Sequence, residues 1–285
     1  MERVRTIPDW IRFSIPAGEN YVRVKRVLEE NSLHTVCTEA RCPNIGECLG
    51  RGTATFLIMG PFCSRNCRYC AVRTGPPAPL DPAEPAKIAR AVSALKLSYA
   101  VITSVTRDDL PDGGAGHFAD TVQALRERVP SCGIELLVPD FKNSFDESIG
   151  KVIAAGPNVI NHNIEVARRL YREMRPRGDY DLSLRLIERV SLSAVPSKSG
   201  LMVGLGETMA DIEDTLRDLR FVGCRALTVG QYLRSTADNA PVRKFYRPEE
   251  FDAIGEMARS MDFDHVMSAP LVRSSYRAGE NGKPG

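Results

Sequence analysis

The chain lacks any run of eighteen or more apolar residues, so its sequence offers no transmembrane helix. It also lacks an excess of either charge. Its 38 Lys and Arg stand against 36 Asp and Glu, for a net charge of +2, which gives no global nucleic-acid or membrane footprint. The first residues, Met1-Glu2-Arg3-Val4-Arg5-Thr6, have no apolar signal-peptide core, and the acidic Glu2 and Asp9 argue against a transit peptide. The expected location is therefore cytoplasmic. No internal repeat, low-complexity tract or long linker divides the chain. A hydrophobic fraction of 43% and a charged fraction of 26% exclude disordered and fibrous classes, and 285 residues is a normal length for one α/β barrel.

Cysteine is scarce in most of the chain and dense in one part. Only Cys132 and Cys224 follow Cys70, and neither sits in a motif, so both read as small buried hydrophobes. The other six, Cys37, Cys42, Cys48, Cys63, Cys67 and Cys70, fall within 34 residues. In a reducing compartment such a cluster points to a metal site before a disulfide ladder.

Downstream of the cysteines, apolar β-branched runs alternate with amphipathic stretches. The predicted strands are Ala54–Gly60, Tyr99–Val105, Ile134–Pro139, Asn158–Asn161, Gly200–Leu205 and Leu227–Gln231, with a short late one at His265–Ser268. Near-continuous apolar runs suit parallel strands covered on both faces. Between them, helical stripes recur at Ile88/Val92/Leu95, Phe118/Val122/Leu125/Val129, Ile149/Val152/Ile153 and Ile212/Leu216/Leu219. Alternation of this kind implies right-handed βαβ units. Six clear units are too few for a closed eight-stranded barrel, so the expected fold is a partial (β/α)6 TIM-like barrel with N- and C-terminal extensions. The expected boundaries are an N-terminal extension over 1–50, the barrel over 51–262 and a C-terminal extension over 263–285, together one unit. Chemistry in such a fold sits at the carboxyl ends of the strands.

Directly after the first predicted strand comes Cys63-Ser-Arg-Asn-Cys67-Arg-Tyr-Cys70, a C-x3-C-x2-C spacing. Three thiolates can hold three irons of a cubane and leave the fourth open to an exogenous ligand, a catalytic arrangement. The alternative is a zinc knuckle, but a structural zinc site wants four ligands and no fourth lies nearby. An electron carrier would close each cluster with four cysteines.

The motif and its placement resemble the radical S-adenosylmethionine superfamily, in which the cofactor's methionine amine and carboxylate chelate the open iron. One electron then cleaves the sulfonium to a 5′-deoxyadenosyl radical, which breaks unactivated C–H bonds. A second constellation, Cys37-x4-Cys42-x5-Cys48 with Arg273-Ser274-Ser275-Tyr276, narrows the resemblance to the lipoyl synthase family. So do Pro8-Asp-Trp10-Ile-Arg12, Leu33-His-Thr-Val-Cys37, Thr103-Ser-Val-Thr-Arg-Asp-Asp109, Asn161-His-Asn-Ile-Glu165, Lys198–Glu207 and Gly230–Arg234. Biotin synthase shares the Asn-His-Asn pattern but not the second cysteine set with Arg273 and Ser274.

The resemblance implies a sulfurtransferase that inserts two sulfur atoms at C6 and C8 of a protein-bound octanoyl group. It implies two [4Fe–4S] clusters and S-adenosyl-L-methionine. Cys63, Cys67 and Cys70 would hold the cluster that binds the cofactor, and Cys37, Cys42, Cys48 and Ser274 an auxiliary sulfur-donating one, with Arg273 beside it. Ser104, Asn163, Glu165 and Gly204 are the expected cofactor contacts. Implied partners are octanoylated carrier domains of 2-oxoacid dehydrogenases and the glycine cleavage H protein, a ferredoxin or flavodoxin, and a cluster-repair carrier; nucleic acid and membrane are not expected. Leu49, Pro61-Phe62 and Arg277 depart from the family pattern without removing a ligand.

Three further expectations concern neighbours. His162 should be a satisfied core residue, and Lys198 should meet a carboxylate or lie in solvent. Arg168, Arg169, Arg172, Arg175 and Arg177, opposed locally only by Glu173, should form a solvated helix face or a docking patch for an acidic carrier.

Overall fold

A computed structural model describes residues 7–12, 18–39, 42, 44–45, 47, 55–276 and 278–281. Cys48, Leu49, Ala54 and Arg277 lie outside the described residues. Eight strands form one sheet in the order β1 (His34–Thr35), β2 (Thr55–Ile58), β5 (Tyr99–Ser104), β6 (Gly133–Leu137), β7 (Val159–Asn161), β8 (Ser197–Val203), β9 (Ala226–Gln231) and β10 (His265–Ser268). All neighbours are parallel except β1 against β2. The sheet curls without closing, as a partial barrel does. A separate two-residue ladder pairs β3 (Phe62–Cys63) with β4 (Arg73–Thr74) and brackets the Cys63–Cys70 loop.

The helical stripes cover the outer face of the sheet. Ile88, Val92 and Leu95 of the helix Glu84–Leu95, and Phe118, Val122 and Leu125 of the helix Ala115–Arg128, share a core with Phe56, Ile102, Ile134 and Leu136. A second core joins Ile212, Leu216 and Leu219 of the helix Met209–Phe221 to Leu201, Val203, Leu227 and Val229. The start of that helix is fixed by a capping box, in which Thr208 Oγ1 accepts from Asp211 N while the Asp211 carboxylate accepts from Thr208 N. Cys132 and Cys224 are buried. No helix among the described residues is long and apolar enough to cross a membrane.

β8 begins at Ser197, three residues before the apolar run that predicts it. Ser197, Lys198 and Ser199 are polar yet buried, because their partners come from other strands and helices. His265–Ser268, placed with the C-terminal extension on sequence grounds, is the sheet's last parallel strand.

Candidate functional site

The Cys63–Cys70 loop leaves the carboxyl end of β2 through Met59, whose φ of 67° is an unusual backbone state for a non-glycine residue. Three contacts hold that turn. Met59 N donates to Glu84 Oε2 at 2.8 Å, Arg107 donates to the Met59 carbonyl, and Gly114 leaves room for the Met59 side chain. Four bonds tie the loop to two other segments. Arg68 N donates to Met174 O, Arg177 to Ser64 O, Ala240 N to Arg68 O, and Asn239 Nδ2 to Cys70 O at 2.8 Å.

Arg65, between the first two cysteines, is buried and grips Asp108 and Asp140 with two hydrogen bonds each, at 2.6–2.8 Å. Bidentate pairs of this kind fix orientation as well as charge. Cys63 Sγ accepts from the amides of Arg65 and Thr106, both at 3.4 Å.

Cys67 and Cys70 lie close enough to Cys63 to feel it, and Cys70 feels Cys67 as well. Burial pushes Cys70 up to about 12, with Cys67 and Cys63 adding to the shift. Burial also raises Cys67, while the Arg175 guanidinium opposes it. Unloaded, Cys67 and Cys70 hold their protons at neutral pH, so iron binding to them must displace protons. No group of three or more His, Cys, Asp or Glu side chains among the described residues is placed to hold a single metal ion. A cubane differs, because each thiolate binds its own iron.

Around this loop lie buried polar atoms with nothing to bond. Ser104 Oγ ends β5, Asn163 Oδ1 follows β7, and Arg175 Nε sits beside Cys67 and Glu165; all three are unpartnered. Such orphans are rare in native proteins and call for an explanation. Hydroxyl, amide and guanidinium groups suit a polar, zwitterionic nucleoside, so the residues present fit S-adenosylmethionine. Asn163 Nδ2 donates to Glu165 Oε1 at 3.3 Å. Glu165 has φ of 70°, and desolvation raises its carboxyl while Arg175 and Asn163 lower it. Strain of this kind at a strand end is common where a site is pre-formed. At Gly204, φ is 111° and a Cβ would meet Gln231 and the Lys244 carbonyl, so the chain's own packing already fills that space.

The second cysteine set begins just after β1, beside the amino end of β2. Cys37 lies in the short helix Val36–Glu39, and Cys42 N donates to its carbonyl at 3.1 Å. Burial and the neighbouring Cys42 push Cys37 up to about 11; burial raises Cys42 as well, and Arg273 opposes that rise.

The C-terminal segment crosses the mouth to meet them. Gln231 N donates to Pro270 O, Asn44 Nδ2 to Leu271 O at 2.7 Å, and the Tyr276 hydroxyl to Glu47 Oε1 at 3.0 Å. It passes so close over β9 that a Cβ on Gly230 would lie 2.0 Å from the Val272 carbonyl. Ser274 Oγ accepts from Asn163 Nδ2 at 3.3 Å. The structure thus seats Ser274 at the mouth beside Asn163 and puts Arg273 close enough to Cys42 to act on it, while Cys37 lies beside Thr55 at the amino end of β2.

His162 is satisfied on both nitrogens, Nδ1 by the Val138 carbonyl and Nε2 by Ser183 Oγ. Burial, with Arg175 nearby, pulls it down to about 4 from a model-compound 6.5. The unfolded chain therefore binds the extra proton between those values, and stability should fall as pH drops through that window, by up to about 3 kcal/mol. Anaerobic urea titrations at pH 7 and pH 5 should show this loss in the parent and a smaller one in His162→Gln. Lys198 meets Glu135, both buried.

Arg168, Arg169, Arg172 and Arg177 are exposed, as a solvated face requires, and Arg175 is the exception. Arg168 pairs with Asp181 at 2.7 Å and Asp218 at 3.3 Å, Arg169 with Asp211 at 2.9 Å, and Arg175 is buried with its NH1 on the Tyr171 hydroxyl. The balancing acids are distant in sequence, so counting charges along the segment overstates the patch. Arg175 is the site residue that sequence reading missed, because its arginine-rich surroundings look like a solvated face.

Comparisons with known proteins bear on the family and the fold. A family model described as the radical SAM superfamily matches residues 57–219, and one for the N-terminal domain of lipoyl synthase matches residues 1–42. The chain is 52% identical over 273 residues to a lipoyl synthase of Nitrosococcus oceani, covering 95% of this chain and 84% of the relative. It is 48% identical over 277 residues to one of Bacteroides fragilis, covering 97% and 96%. Among solved structures, an [FeFe]-hydrogenase maturase superposes with TM-score 0.59 at 16% identity, over 75% of this chain and 52% of that one. Streptococcus suis SuiB bound to S-adenosylmethionine gives 0.57 at 10%, over 76% and 51%. These structural likenesses bear on the fold alone.

Proposed function

The chain belongs to the lipoyl synthase family of the radical SAM superfamily, and from that premise we propose how its residues divide the work. The activity is insertion of two sulfur atoms at C6 and C8 of an octanoyl group carried in amide linkage on a lipoyl carrier domain. The cofactors are two [4Fe–4S] clusters and S-adenosyl-L-methionine; when bound, they supply a 5′-deoxyadenosyl radical for C–H cleavage and the sulfur to be inserted. Cys63, Cys67 and Cys70 hold one cluster; Cys37, Cys42, Cys48 and Ser274 hold the other. On this reading residues 1–50 and the chain after β10 are two arms that carry the auxiliary ligands to the barrel, whose last strand is β10.

One observation carries the division: Asn163 Nδ2 lies 3.3 Å from Ser274 Oγ and 3.3 Å from Glu165 Oε1. A residue on the cofactor side thereby holds the serine of the auxiliary side. A hydroxyl oxygen is a harder, more labile ligand for iron than a thiolate, which suits a corner that has to open. Ser104, Asn163 and Glu165 contact the cofactor, and Arg273 supports the auxiliary site from beside Cys42. The carrier domains are those of 2-oxoacid dehydrogenases and the glycine cleavage H protein. Ferredoxin or flavodoxin would deliver electrons, a cluster carrier would restore the auxiliary site, and the cytoplasm is the place of action.

Arg175 joins the cofactor contacts. Its free Nε, beside Glu165 and Cys67, is suited to a carboxylate. Asp140 keeps both bonds from Arg65 when Arg175 is changed, so the fold has no reason to fail. Arg175→Gln should weaken S-adenosylmethionine binding by about 10- to 100-fold, the range for a lost charge-assisted hydrogen bond, measured by equilibrium dialysis with reconstituted protein. Unchanged affinity would remove Arg175 from the site. The proposal as a whole is tested by anaerobic reconstitution with iron counting, followed by reaction with an octanoylated carrier domain. About eight irons per chain and a lipoyl product are expected; about four irons with no lipoyl product would refute it.

A further inference from the structure

Deep inside the barrel lies an ion pair that neither cluster site uses. Lys198 on β8 donates to both carboxylate oxygens of Glu135 on β6, at 2.9 and 3.2 Å. Asn161 on β7 and the Tyr99 hydroxyl on β5 donate to the same carboxylate at 3.3 Å each. The Lys198 and Glu135 side chains are 3% and 1% exposed, and Asn161 Oδ1 is buried without a partner.

Strand register places these groups on the lumen side, with Leu137 two residues further along β6 and Met202 four further along β8. At about 3.3 Å per residue, Leu137 is roughly 7 Å nearer the mouth than Glu135. Leu137 and Met202 are half-exposed, and Met202 is the one residue of β8 that is not buried. Access from the mouth therefore ends at the ion pair. Below it the Tyr99 ring packs against Gly133, and Gly279 packs against the Tyr99 Cβ.

Stability gives little reason for such a pair. Replacing a buried ion pair by apolar residues of similar volume is often neutral or stabilising, and parallel barrels usually fill their interiors with branched aliphatics. We infer that Lys198 and Glu135 form the floor of the acyl channel and set the length of acyl chain the enzyme accepts. This rests on the function proposed above. Leu137 and Met202 give an alkyl chain an apolar wall, and its terminal methyl stops where further advance would displace a fully bonded ion pair. A chain two carbons longer must leave those two methylenes outside the wall.

The test compares affinities for unmodified, octanoylated and decanoylated carrier domain by calorimetry, without reductant so that no turnover occurs. Two methylenes left in water gain nothing, so the parent should bind decanoyl no tighter than octanoyl, whereas burying both at about 0.8 kcal/mol each would be worth about 15-fold. Glu135→Ala/Lys198→Ala removes both charges together and deepens the channel, and should shift the decanoyl-to-octanoyl affinity ratio by about tenfold or more toward decanoyl. Should that variant fail to fold, Glu135→Gln/Lys198→Ala retains acceptors for Asn161 and Tyr99, opens the space of the lysine stem, and should move the ratio the same way. A folded variant with the parental ratio would overturn the floor and leave the functional reading standing. A parent that binds octanoylated and unmodified domains equally would overturn the functional reading, and the floor with it.

Discussion

Cys67→Ala is expected to abolish 5′-deoxyadenosine formation, by more than about 100-fold, while leaving the auxiliary cluster able to assemble. Even outer-shell partners of metal sites are worth 10- to 100-fold, and a thiolate bound to iron is worth more. The loss should also appear in composition, as a fall from about eight irons to about four. The rest of the loop has no cause to collapse. Arg65 keeps its four bonds to Asp108 and Asp140, and Cys63 Sγ keeps its two amide donors. Parental deoxyadenosine production in this variant would mean that Cys63, Cys67 and Cys70 do not hold the cofactor-binding cluster.

The second large effect belongs to Ser274, and there the two products should separate. Ser274→Ala should lower lipoyl product by about tenfold or more through loss of an auxiliary ligand, with deoxyadenosine formation within about twofold of the parent. Ser274→Cys should retain a cluster, because thiolate suits iron better than a hydroxyl oxygen, yet still lose sulfur donation as the corner is held more tightly. Both products are read by mass spectrometry in one reaction. Gly230→Ala offers an independent route to the same outcome. Its methyl would meet the Val272 carbonyl at 2.0 Å, so the segment carrying Ser274 must lift from the mouth. Full sulfur insertion in both Ser274 variants would reduce that residue to a hydrogen-bond partner of Asn163.

Much of this was legible in the chain. The strands were, because parallel strands covered on both faces must be apolar throughout, as Thr55–Ile58 is. The helix stripes at Ile88, Phe118 and Ile212 were legible because a 3.6-residue period is a local property. The start of β8 was not. Ser197-Lys198-Ser199 reads as a loop until the Glu135 carboxylate, 63 residues away, is seen to receive the lysine.

The sequence by itself determined the chemistry. The spacings of Cys63, Cys67 and Cys70, and of Cys37, Cys42 and Cys48 with Arg273 and Ser274, carry the resemblance to the lipoyl synthase family from which the proposed ligand sets follow. Only the tertiary structure decided which polar groups are partners. It seated Arg175 inside beside Cys67 while its neighbours Arg168 and Arg169 turned outward to Asp181, Asp218 and Asp211. It also brought Ser274 to Asn163 across 111 residues. The physical reason is range. Periodicity and ligand spacing are written in neighbouring residues, whereas a charge or a hydrogen bond is satisfied by whatever the folded chain brings within about 3 Å, from any distance in sequence.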